Sequence, residues 1–494
     1  MNTKVKINCL ATGVPGLDEV LGGGLPEFSF NLIAGPPGCG KTTLAHQMMF
    51  ALATPERPAI YFTVLGEPPL KMLRYQQQFD FFDHEAINQR VHFINLSEDA
   101  MTGNLDRVLQ RIVEEVTRLN PGLVFVDSFR SVVFASSPEG NAHNKLQQFV
   151  QQLGMLMTSW QATTFLLGEY FNEADANPVF TVADGLIWLR QSVQRNSMVR
   201  KIEIMKMRGQ STLAGMHTFR IATAGMKVIA PVRTTPPATE VPPPSTDVER
   251  LQIGVPLLDE MLGGGVPNGY SVLVAGPSGS GKTILATAFL AEGARRGETG
   301  VLAAFEQHPY RSRNQPLIDL VANGQVGVID SHAADLSSDE VVSLLMNEVH
   351  RLGAKRVVLD SLSGFELSLA PTFREDFRES LLRLVAALGR EGVTVLVTSE
   401  LEDRYTDLRF SPYGAAFLTD AIIVQRYIEV DSRLLRVMAV VKVRSSDHSD
   451  ELREYTIDAS GIRMGQSLPD QEGLLGGRPT RKRPADRPVA ADGA

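Results

Sequence analysis

The sequence predicts an α/β protein with two tandem domains, each a mostly parallel twisted sheet flanked by helices. Three observations support this prediction. The chain has 494 residues, more than one hydrophobic core usually supports. A glycine-rich segment occurs twice, and its two lysines, Lys41 and Lys282, lie 241 positions apart. In each half, short β-branched runs alternate with segments of helical periodicity, a pattern typical of crossover connections between parallel strands.

The repeat extends beyond the glycine-rich segment, because residues 12–24 return as residues 253–265 without a gap. Between the copies the chain is rich in Pro and Thr, a composition that stays extended and resists packing. After Met464 it is rich in Gly, Pro and Arg, which favours disorder. We therefore predict four segments, which are a first domain at 1–229, a linker at 230–247, a second domain at 248–465 and a disordered tail at 466–494.

Individual strands can be assigned from the apolar runs. A strand buried on both faces reads as a continuous apolar segment, whereas an antiparallel strand at a sheet edge alternates. We predict buried strands at 30–34, 59–64, 123–126, 271–275, 301–304 and 356–359, and antiparallel edge strands at 201–205 and 434–443.

Composition excludes several classes of protein. The chain carries 48 basic and 56 acidic residues, a net charge of −8, so nucleic-acid binding is not expected. Its two cysteines, Cys9 and Cys39, are too few for a disulfide framework or a zinc site and suit a reducing compartment. The first ten residues lack the order of a secretory signal, and no apolar run reaches membrane-spanning length. We expect a cytoplasmic protein without a membrane partner.

The duplicated segment has the spacing of a phosphate-binding loop. In such a loop backbone N–H groups point at phosphates, a lysine reaches the terminal phosphates and a Thr hydroxyl helps hold magnesium. The sequence therefore predicts ATP and Mg²⁺ as cofactors. The predicted nucleotide-binding residues are Gly35, Pro36, Pro37, Gly38, Cys39, Gly40, Lys41, Thr42 and Thr43 in the first copy, and Gly276, Pro277, Ser278, Gly279, Ser280, Gly281, Lys282, Thr283 and Ile284 in the second.

Two aspartates end apolar strands at matching places. Asp127 follows residues 124–126 and Asp360 follows residues 357–359. The carboxyl end of a parallel strand is where ligands bind in such sheets, and Mg²⁺ prefers oxygen ligands. An aspartate closing a strand is also often a turn or helix cap. Its pairing with a phosphate loop favours the metal role, shared with Thr42 in the first copy and Thr283 in the second.

Hydrolysis of ATP also needs a group that orients or deprotonates water. The predicted position follows the second strand, where each copy has a carboxylate, Glu67 and Glu306. With the two segments aligned on their second proline, Glu306 faces Gly66 and Gln307 faces Glu67. Each copy therefore has one candidate carboxylate, at a different place. With Lys41 and Lys282, these glutamates are the predicted catalytic residues.

The two loops, the Thr-Gly-x-x-x-Leu-Asp and Leu-Gly-Gly-Gly segments before the first, the Asp-Ser strand ends and the glutamate region resemble the KaiC family of clock ATPases. The resemblance covers residues 8–465. It implies two RecA-like domains per chain, a double-ringed homohexamer and ATP between neighbouring subunits. In the family this region holds two adjacent glutamates, the first usually credited as the base. Glu306 keeps that first place, whereas Glu67 occupies the second, so the first copy is expected to hydrolyse slowly or to use Glu67 as a substitute.

The same resemblance implies a second set of ATP contacts made from the neighbouring subunit. Lys206 with Arg208, and Lys442 with Arg444, would reach the neighbour's γ-phosphate as an arginine finger does. The alternative is a solvated strand face, where alternating basic residues are ordinary. His448 stands where the family often has a histidine, although a lone histidine is commonly a surface or core residue.

Clock proteins of this family autophosphorylate a Ser-Thr pair shortly before a Thr-Asp motif. Here the motif is Thr419-Asp420, and Ala416-Phe417 occupies the place of the pair. Neither residue has a hydroxyl, so the usual Ser/Thr autokinase reaction is doubtful. Thr419 and Ser411 remain candidate phosphoacceptors, and Thr419 is equally a strand-start residue.

The leading hypothesis is thus an ATP-hydrolysing hexameric signalling protein, whose nucleotide-dependent conformation is read by an unknown regulator. One alternative is a RadA/RecA-like DNA-associated ATPase, which the acidic composition disfavours. Another is a ring cemented by nucleotide that acts as a binding scaffold.

Overall fold

The computed structural model describes most of both repeats. The described residues are 7–64, 69–101, 104–128, 142–171, 178–194, 197–231, 249–306, 308–311, 314–330, 336–374, 377–401, 418–430, 432–467, 471–472 and 480–481. The chain divides into two compact units, Met1–Pro231 and Val232–Ala494. Apart from residues 230 and 231, the predicted linker lies outside the described residues.

Unit 1 is built on one large sheet and a small two-stranded one. Its strands are β1 (Cys9–Leu10), β2 (Leu25–Pro26), β3 (Phe30–Gly35), β4 (Ala59–Thr63), β5 (Val91–Asn95), β6 (Leu123–Asp127), β7 (Thr163–Glu169), β8 (Gly185–Gln194), β9 (Ser197–Met207), β10 (Met216–Ala222) and β11 (Gly225–Val228). Its described residues form a nine-stranded sheet in the order β11-β10-β9-β8-β3-β7-β6-β4-β5, while β1 pairs with β2. The six strands from β8 to β5 in that order are parallel, and β9 to β11 are antiparallel.

Helices connect the strands of unit 1 and cover both faces of its sheet. The helices are α1 (Leu17–Leu21), α2 (Lys41–Leu52), α3 (Pro69–Gln76), α4 (Ser97–Met101), α5 (Leu105–Leu119), α6 (Ala142–Ser159) and α7 (Pro178–Val182).

Unit 2 repeats this architecture. Its strands are β12 (Arg250–Leu251), β13 (Val266–Pro267), β14 (Ser271–Gly276), β15 (Gly300–Ala304), β16 (Val326–Asp330), β17 (Arg356–Asp360), β18 (Thr394–Glu400), β19 (Ala421–Val430), β20 (Arg433–Val443), β21 (Arg453–Asp458) and β22 (Gly461–Ser467). The described residues again form nine strands in one sheet, ordered β16-β15-β17-β18-β14-β19-β20-β21-β22. Strands β20 to β22 are its antiparallel edge.

The helices of unit 2 occupy corresponding places. They are α8 (Pro256–Met261), α9 (Lys282–Arg295), α10 (Gln315–Ala322), α11 (Ser338–Leu352), α12 (Leu362–Ser368) and α13 (Phe377–Arg390), with short 3₁₀ helices at Pro309–Arg311 and Pro371–Phe373. In the predicted tail, β23 (Gln471–Glu472) pairs with β24 (Thr480–Arg481). The other residues after Ser467 lie outside the described part, and their disorder stays a prediction.

The predicted fold class is confirmed, and the sequence explains it. All six residues of β3 and all six of β14 are buried, as continuous apolar runs predict for parallel strands covered on both faces. The alternating segments at 201–205 and 434–443 lie in the antiparallel strands β9 and β20, also as predicted. Among the described residues, no helix is both long and apolar enough to cross a membrane.

One face of the unit 1 sheet carries a row of aromatic side chains. Phe93, Tyr61, Phe125 and Phe165 are register neighbours on β5, β4, β6 and β7. Ring centroids are 5.6 Å apart for Tyr61 and Phe93, 5.9 Å for Tyr61 and Phe125, and 4.7 Å for Phe125 and Phe165. Helix α2 adds His46, whose ring centroid lies 4.5 Å from that of Tyr61. In unit 2 the same register row is aliphatic, consisting of Val328, Leu302, Val358 and Leu396.

His46 is fully buried in this aromatic layer. Burial lowers its pKa to about 4, against a smaller opposing contribution from the Gln76 side chain. The imidazole is therefore neutral at pH 7. A histidine whose pKa falls on folding is protonated first in the unfolded chain, so stability is complete above pH 6.5 and is lost as the pH falls towards 4.

We expect unit 1 to lose about 2 kcal/mol of stability between pH 7 and pH 5 through His46 alone. The replacement His46→Leu should remove that part of the loss. Both tryptophans of the chain, Trp160 and Trp188, belong to unit 1, so urea unfolding followed by tryptophan fluorescence reports on this unit. The exposed His84→Leu serves as the control and should behave as the wild type. Equal pH dependence of wild type and His46→Leu would show that His46 is not the group responsible.

Candidate nucleotide and metal sites

In unit 1 the glycine-rich loop joins the carboxyl end of β3 to the start of α2. Gly38 and Gly40 have φ angles of 74° and 107°, in the left-handed region that favours glycine. A Cβ added at Gly35 would lie 2.2 Å from the carbonyl oxygen of Leu189, so the loop also runs too close to β8 for a side chain there. A Cβ at Gly38 would meet nothing within 4 Å. The loop is thus closed against the sheet and open on its outer side.

Unit 2 reproduces this loop between β14 and α9. Gly279 and Gly281 have φ angles of 76° and 103°, within a few degrees of their counterparts. Gly281, like Gly40, immediately precedes the helix. The free N–H groups of the first helical turn therefore face the loop in both units, which is the arrangement that binds phosphate.

The two loop lysines adopt the same position. Lys41 Nζ donates to the carbonyl oxygens of Gly35 and Pro36 at 3.0 and 2.9 Å. Lys282 Nζ donates to those of Gly276 and Pro277, both at 2.9 Å. Burial lowers the pKa of Lys282, while the nearby carboxylates, Glu400 first among them, act in the opposite direction. Each ammonium group is held directly over its own loop.

The predicted metal ligands come together in both units. Thr42 Oγ1 donates to Asp127 Oδ2 at 3.0 Å, and Thr283 Oγ1 donates to Asp360 Oδ2 at 2.8 Å. Each pair joins the first turn of the helix after the loop to the end of a strand that lies two positions away from the loop strand in the sheet. Burial raises the pKa of both aspartates, and the hydrogen bonds they accept counteract this effect. The threonine Oγ1 and the aspartate Oδ2 therefore lie side by side at the edge of each loop.

Each aspartate accepts a further hydrogen bond, from a different donor in each unit. Tyr61 Oη on β4 donates to Asp127 Oδ2 at 2.7 Å. Thr398 Oγ1 on β18 donates to Asp360 Oδ1 at 2.5 Å. These two donors were not predicted from the sequence, because a tyrosine or threonine inside an apolar strand looks like a core residue.

In unit 2 the predicted catalytic carboxylate lies beside the two predicted metal ligands. Glu306, Thr283 and Asp360 line a cavity of about 120 Å³, whose other walls are apolar. The hydroxyl of Ser361 donates a hydrogen bond to Glu306 Oε1 and also accepts one from the N–H of Gly364. Ser361 thus caps helix α12 and fixes Glu306 at the same time. The sequence gave no signal for the contact with Glu306, because a serine after a strand-end aspartate looks like an ordinary helix cap.

Glu67 and Gln307 lie outside the described residues, so the catalytic role predicted for Glu67 stays a prediction. Cys39 is described and buried in the first loop. Burial raises the pKa of its thiol, with Lys41 acting in the opposite direction. A thiol whose pKa is raised is a poor nucleophile, so Cys39 is a small packing residue in the described structure.

The predicted arginine fingers are held by carboxylates of their own unit. Arg208 Nη1 lies 3.0 Å from Asp184 Oδ1, and Arg444 Nη1 lies 3.2 Å from Asp420 Oδ1. The same aspartates accept the backbone N–H groups of Phe30 and Ser271 through Oδ2, each at 3.0 Å. One carboxylate thereby connects the first residue of the strand leading to the loop with an exposed guanidinium.

The lysines beside these arginines bind backbone carbonyls. Lys206 Nζ donates to the carbonyl oxygen of Ala183 at 2.5 Å, and Lys442 Nζ donates to that of Thr419 at 2.7 Å. Burial, followed by the neighbouring arginine, lowers the pKa of both lysines. His448 is half-buried and its Nδ1 lies 3.1 Å from the carbonyl oxygen of Ser449.

Sheet polarity separates these cations from the loop of their own unit. Lys206 pairs with Leu186, which pairs with Leu32 near the start of β3. The loop leaves β3 at its other end, after Gly35. At about 3.3 Å per residue, Lys206 lies some 10 Å back along the strand direction, and Arg208 lies farther still.

Unit 2 has the same polarity. There Lys442 pairs with Ile422, which pairs with Leu273 in β14. The loop of unit 2 again begins at the far end of β14, after Gly276. The described geometry therefore does not bring the basic pairs to the loop that they follow in the chain.

Of the two candidate phosphoacceptors, only Thr419 is described. It is 2% exposed and lies two residues before the start of β19. Ser411, with Ala416 and Phe417, lies outside the described residues. The acceptor roles of Thr419 and Ser411 stay predictions.

The residues present fit a magnesium–nucleotide complex. The Thr and Asp oxygens are the hard donors that Mg²⁺ prefers, and they adjoin a glycine loop that is open on its outer side. Thr42 and Asp127 would hold the ion in unit 1, and Thr283 and Asp360 in unit 2. A bound Mg²⁺ neutralises charge on the terminal phosphates.

Parallel sheets with glycine-rich loops and strand-end aspartates define the class of the protein, a P-loop NTPase with two tandem RecA-like domains. The family model of the KaiC ATPase matches residues 10–233 and again residues 251–468. The chain therefore belongs to the KaiC family of ATPases, and the resemblance inferred from its motifs is confirmed.

Full-length relatives are similar over nearly the whole chain. The circadian clock oscillator protein KaiC of Picosynechococcus sp. is 26% identical, with 96% of this chain and 92% of that protein covered. KaiC of Rippkaea orientalis is 26% identical, with coverages of 97% and 93%. The protein KaiC 1 of Synechocystis sp. is 25% identical, with coverages of 96% and 92%.

We predict that Asp184→Ala destabilises unit 1 by about 1–3 kcal/mol, because the N–H of Phe30 loses its acceptor in a buried position. The matched variant Arg208→Ala removes only the ion pair and should cost less than about 1 kcal/mol, since the arginine side chain is 60% exposed. Urea unfolding followed by tryptophan fluorescence measures both. Equal destabilisation by the two variants would place the main role of Asp184 in the ion pair instead.

Proposed function

We propose that this protein binds and hydrolyses Mg²⁺-ATP at two sites, one in each unit. The observation that carries the proposal is the recurrence, in both units, of a loop lysine, a threonine and a strand-end aspartate in nearly the same geometry. A chain that kept its loops only as structural connections would have no need for two buried carboxylates beside them, because burying a carboxylate costs free energy.

The loops would bind the phosphates through the N–H groups of their first helical turns. Lys41 and Lys282 each donate to two loop carbonyls, and an ammonium has three donors. The third donor of Lys282 would bind a terminal phosphate oxygen. That of Lys41 lies 3.9 Å from Cys39 Sγ, a weak acceptor that a phosphate oxygen would replace. In this position the lysine acts on the charge that spreads over the transferring phosphoryl group.

The attacking water in unit 2 would be activated by Glu306. Its carboxylate lines the cavity that also holds Thr283 and Asp360, and the hydroxyl of Ser361 fixes one of its oxygens. The other oxygen would accept the proton of water. In unit 1 we propose Glu67 for this role, on the basis of its place in the sequence after β4.

We also propose a homohexameric double ring in which Lys206 with Arg208, and Lys442 with Arg444, contact the neighbour's ATP, assisted by His448. The support is sheet polarity, since the basic pairs of each unit lie at the opposite end of the sheet from its own loop. An interface in which one end of a subunit meets the other end of the next is heterologous, and it forms a ring when the rotation between successive subunits closes. The nucleotide-dependent state of the ring would be read by a signalling protein.

The hydrolytic role of Glu306 is testable in full-length chains that carry Lys41→Ala, so that unit 2 alone binds nucleotide. We expect Glu306→Gln to lower phosphate release about 100-fold or more, as loss of a general base does, while ATP binding persists. The exposed Glu379→Gln is the matched control and should keep the parent rate. Unchanged release with Glu306→Gln would contradict hydrolysis at this carboxylate.

The same samples distinguish the competing functions. A nucleotide-cemented scaffold would lose its hexamer in the Lys41→Ala and Lys282→Ala variants, and its wild type would release no phosphate. Strong stimulation of phosphate release by single-stranded DNA at low salt would indicate a DNA-associated ATPase instead.

We propose hydrolysis, rather than Ser/Thr autophosphorylation, as the main reaction. Ala416 and Phe417 offer no hydroxyl, and that of Thr419 belongs to a buried residue. Incubation with Mg²⁺-ATP followed by intact-mass analysis should show no stable added phosphate. A phosphate localised to Ser411 or Thr419 would demonstrate autokinase activity in the second unit.

A further inference from the structure

The two strand-end aspartates are supported from opposite sides. In unit 1 the second donor to the aspartate is Tyr61, on β4, and in unit 2 it is Thr398, on β18. Strand β4 adjoins one side of β6, and β18 adjoins the other side of the corresponding strand, β17. The loop threonine donates to Oδ2 of the aspartate in both units. The difference lies in the second donor and in the oxygen that accepts its bond, which is Oδ2 for Tyr61 and Oδ1 for Thr398.

Strand register shows that each unit lacks the donor of the other. Tyr61 pairs with Phe125, and the matching position on β15 is Leu302, which pairs with Val358. In unit 2, Thr398 directly follows Val397, which pairs with Leu359. In unit 1, the corresponding pair is Val126 with Leu166, so the residue that corresponds to Thr398 is Leu167. The two donors have therefore been exchanged between strands, with a leucine at each vacated position.

The phenol of Tyr61 is held rigidly in its position. Its side chain is fully buried, and its ring centroid lies 4.5 Å from that of His46, 5.6 Å from that of Phe93 and 5.9 Å from that of Phe125. A buried phenol needs a hydrogen-bond partner, and Asp127 Oδ2 provides it at 2.7 Å. The aromatic layer of unit 1 thus fixes the direction of a carboxylate at the edge of the loop.

We propose that Tyr61 is a positioning residue, which orients Asp127 for the Mg²⁺ of the first ATP site, and that Thr398 replaces it at the second site. This inference rests on the proposed function, because it assumes a metal at Asp127 and Asp360. Partners that hydrogen-bond to a metal-binding group fix its orientation, and their loss weakens metal binding. Tyr61 itself would not contact the metal or the nucleotide.

The test follows metal binding rather than turnover. Full-length chains carrying Lys282→Ala confine a fluorescent, non-hydrolysable ATP analogue to unit 1. The Mg²⁺ concentration at half-maximal binding of the analogue is measured, together with binding in EDTA. Tyr61→Phe should raise the Mg²⁺ midpoint about tenfold, which is the usual effect of removing such a partner. Binding in EDTA should stay unchanged, because the loop itself is intact.

A rescue variant separates positioning from packing. Tyr61→Phe combined with Leu167→Thr places the donor of unit 2 at its matching position in unit 1 and should largely restore the Mg²⁺ midpoint. In chains that carry Lys41→Ala, Thr398→Val should raise the midpoint of unit 2, whereas Tyr61→Phe should leave it unchanged. Tryptophan fluorescence during urea unfolding checks the fold of unit 1.

Three results would overturn the inference. The first is an unchanged Mg²⁺ midpoint in Tyr61→Phe. The second is a loss of analogue binding by Tyr61→Phe that is as large in EDTA as in Mg²⁺. The third is a raised midpoint in Tyr61→Phe that the added Leu167→Thr does not lower. In each case the Lys282→Ala parent still shows Mg²⁺-dependent binding, so the proposed function survives. Absence of Mg²⁺-dependent binding in that parent would refute the proposed metal site and this inference together.

Discussion

The hydrogen bond between a loop threonine and a strand-end aspartate organises each unit around one edge of its sheet. It joins the first turn of α2 to the end of β6, and the first turn of α9 to the end of β17. Those strands are not neighbours of the strand that carries the loop, because β7 or β18 lies between them. The bond therefore forms only when three parallel strands align at their carboxyl ends, and it makes the loop geometry depend on all three.

The two units share this constraint but support it with different chemistry. Unit 1 places a histidine and four aromatic rings beneath its aspartate, whereas the same face in unit 2 has aliphatic side chains. Burial raises the pKa of both aspartates, and the hydrogen bonds that each carboxylate accepts act in the opposite direction by stabilising its charged form. A duplicated domain can thus keep its principal contacts while the residues behind them diverge, provided that each carboxylate keeps two donors.

The sequence sufficed for features defined by local spacing. The loops, the strand ends and the parallel sheet follow from short segments in which residue type and position are linked by backbone geometry. The supporting contacts were missed because their partners are far apart in the chain. Tyr61 lies 66 residues before Asp127, Thr398 lies 38 after Asp360, and Ser361 lies 55 after Glu306. Such pairs depend on strand order and register, which no local pattern encodes, and each donor by itself resembles a core or capping residue.

Sheet polarity has a genetic consequence in a ring of this kind. In the proposed ring, each chain would provide the loop at one end of a sheet and would contribute the cations at the other end to its neighbour's site. A chain with a defective loop would still supply an intact Arg208 to the next subunit, and a chain without Arg208 would still provide an intact loop. Two inactive chains of these opposite types, mixed in one ring, would form complete sites at a fraction of their interfaces and complement each other.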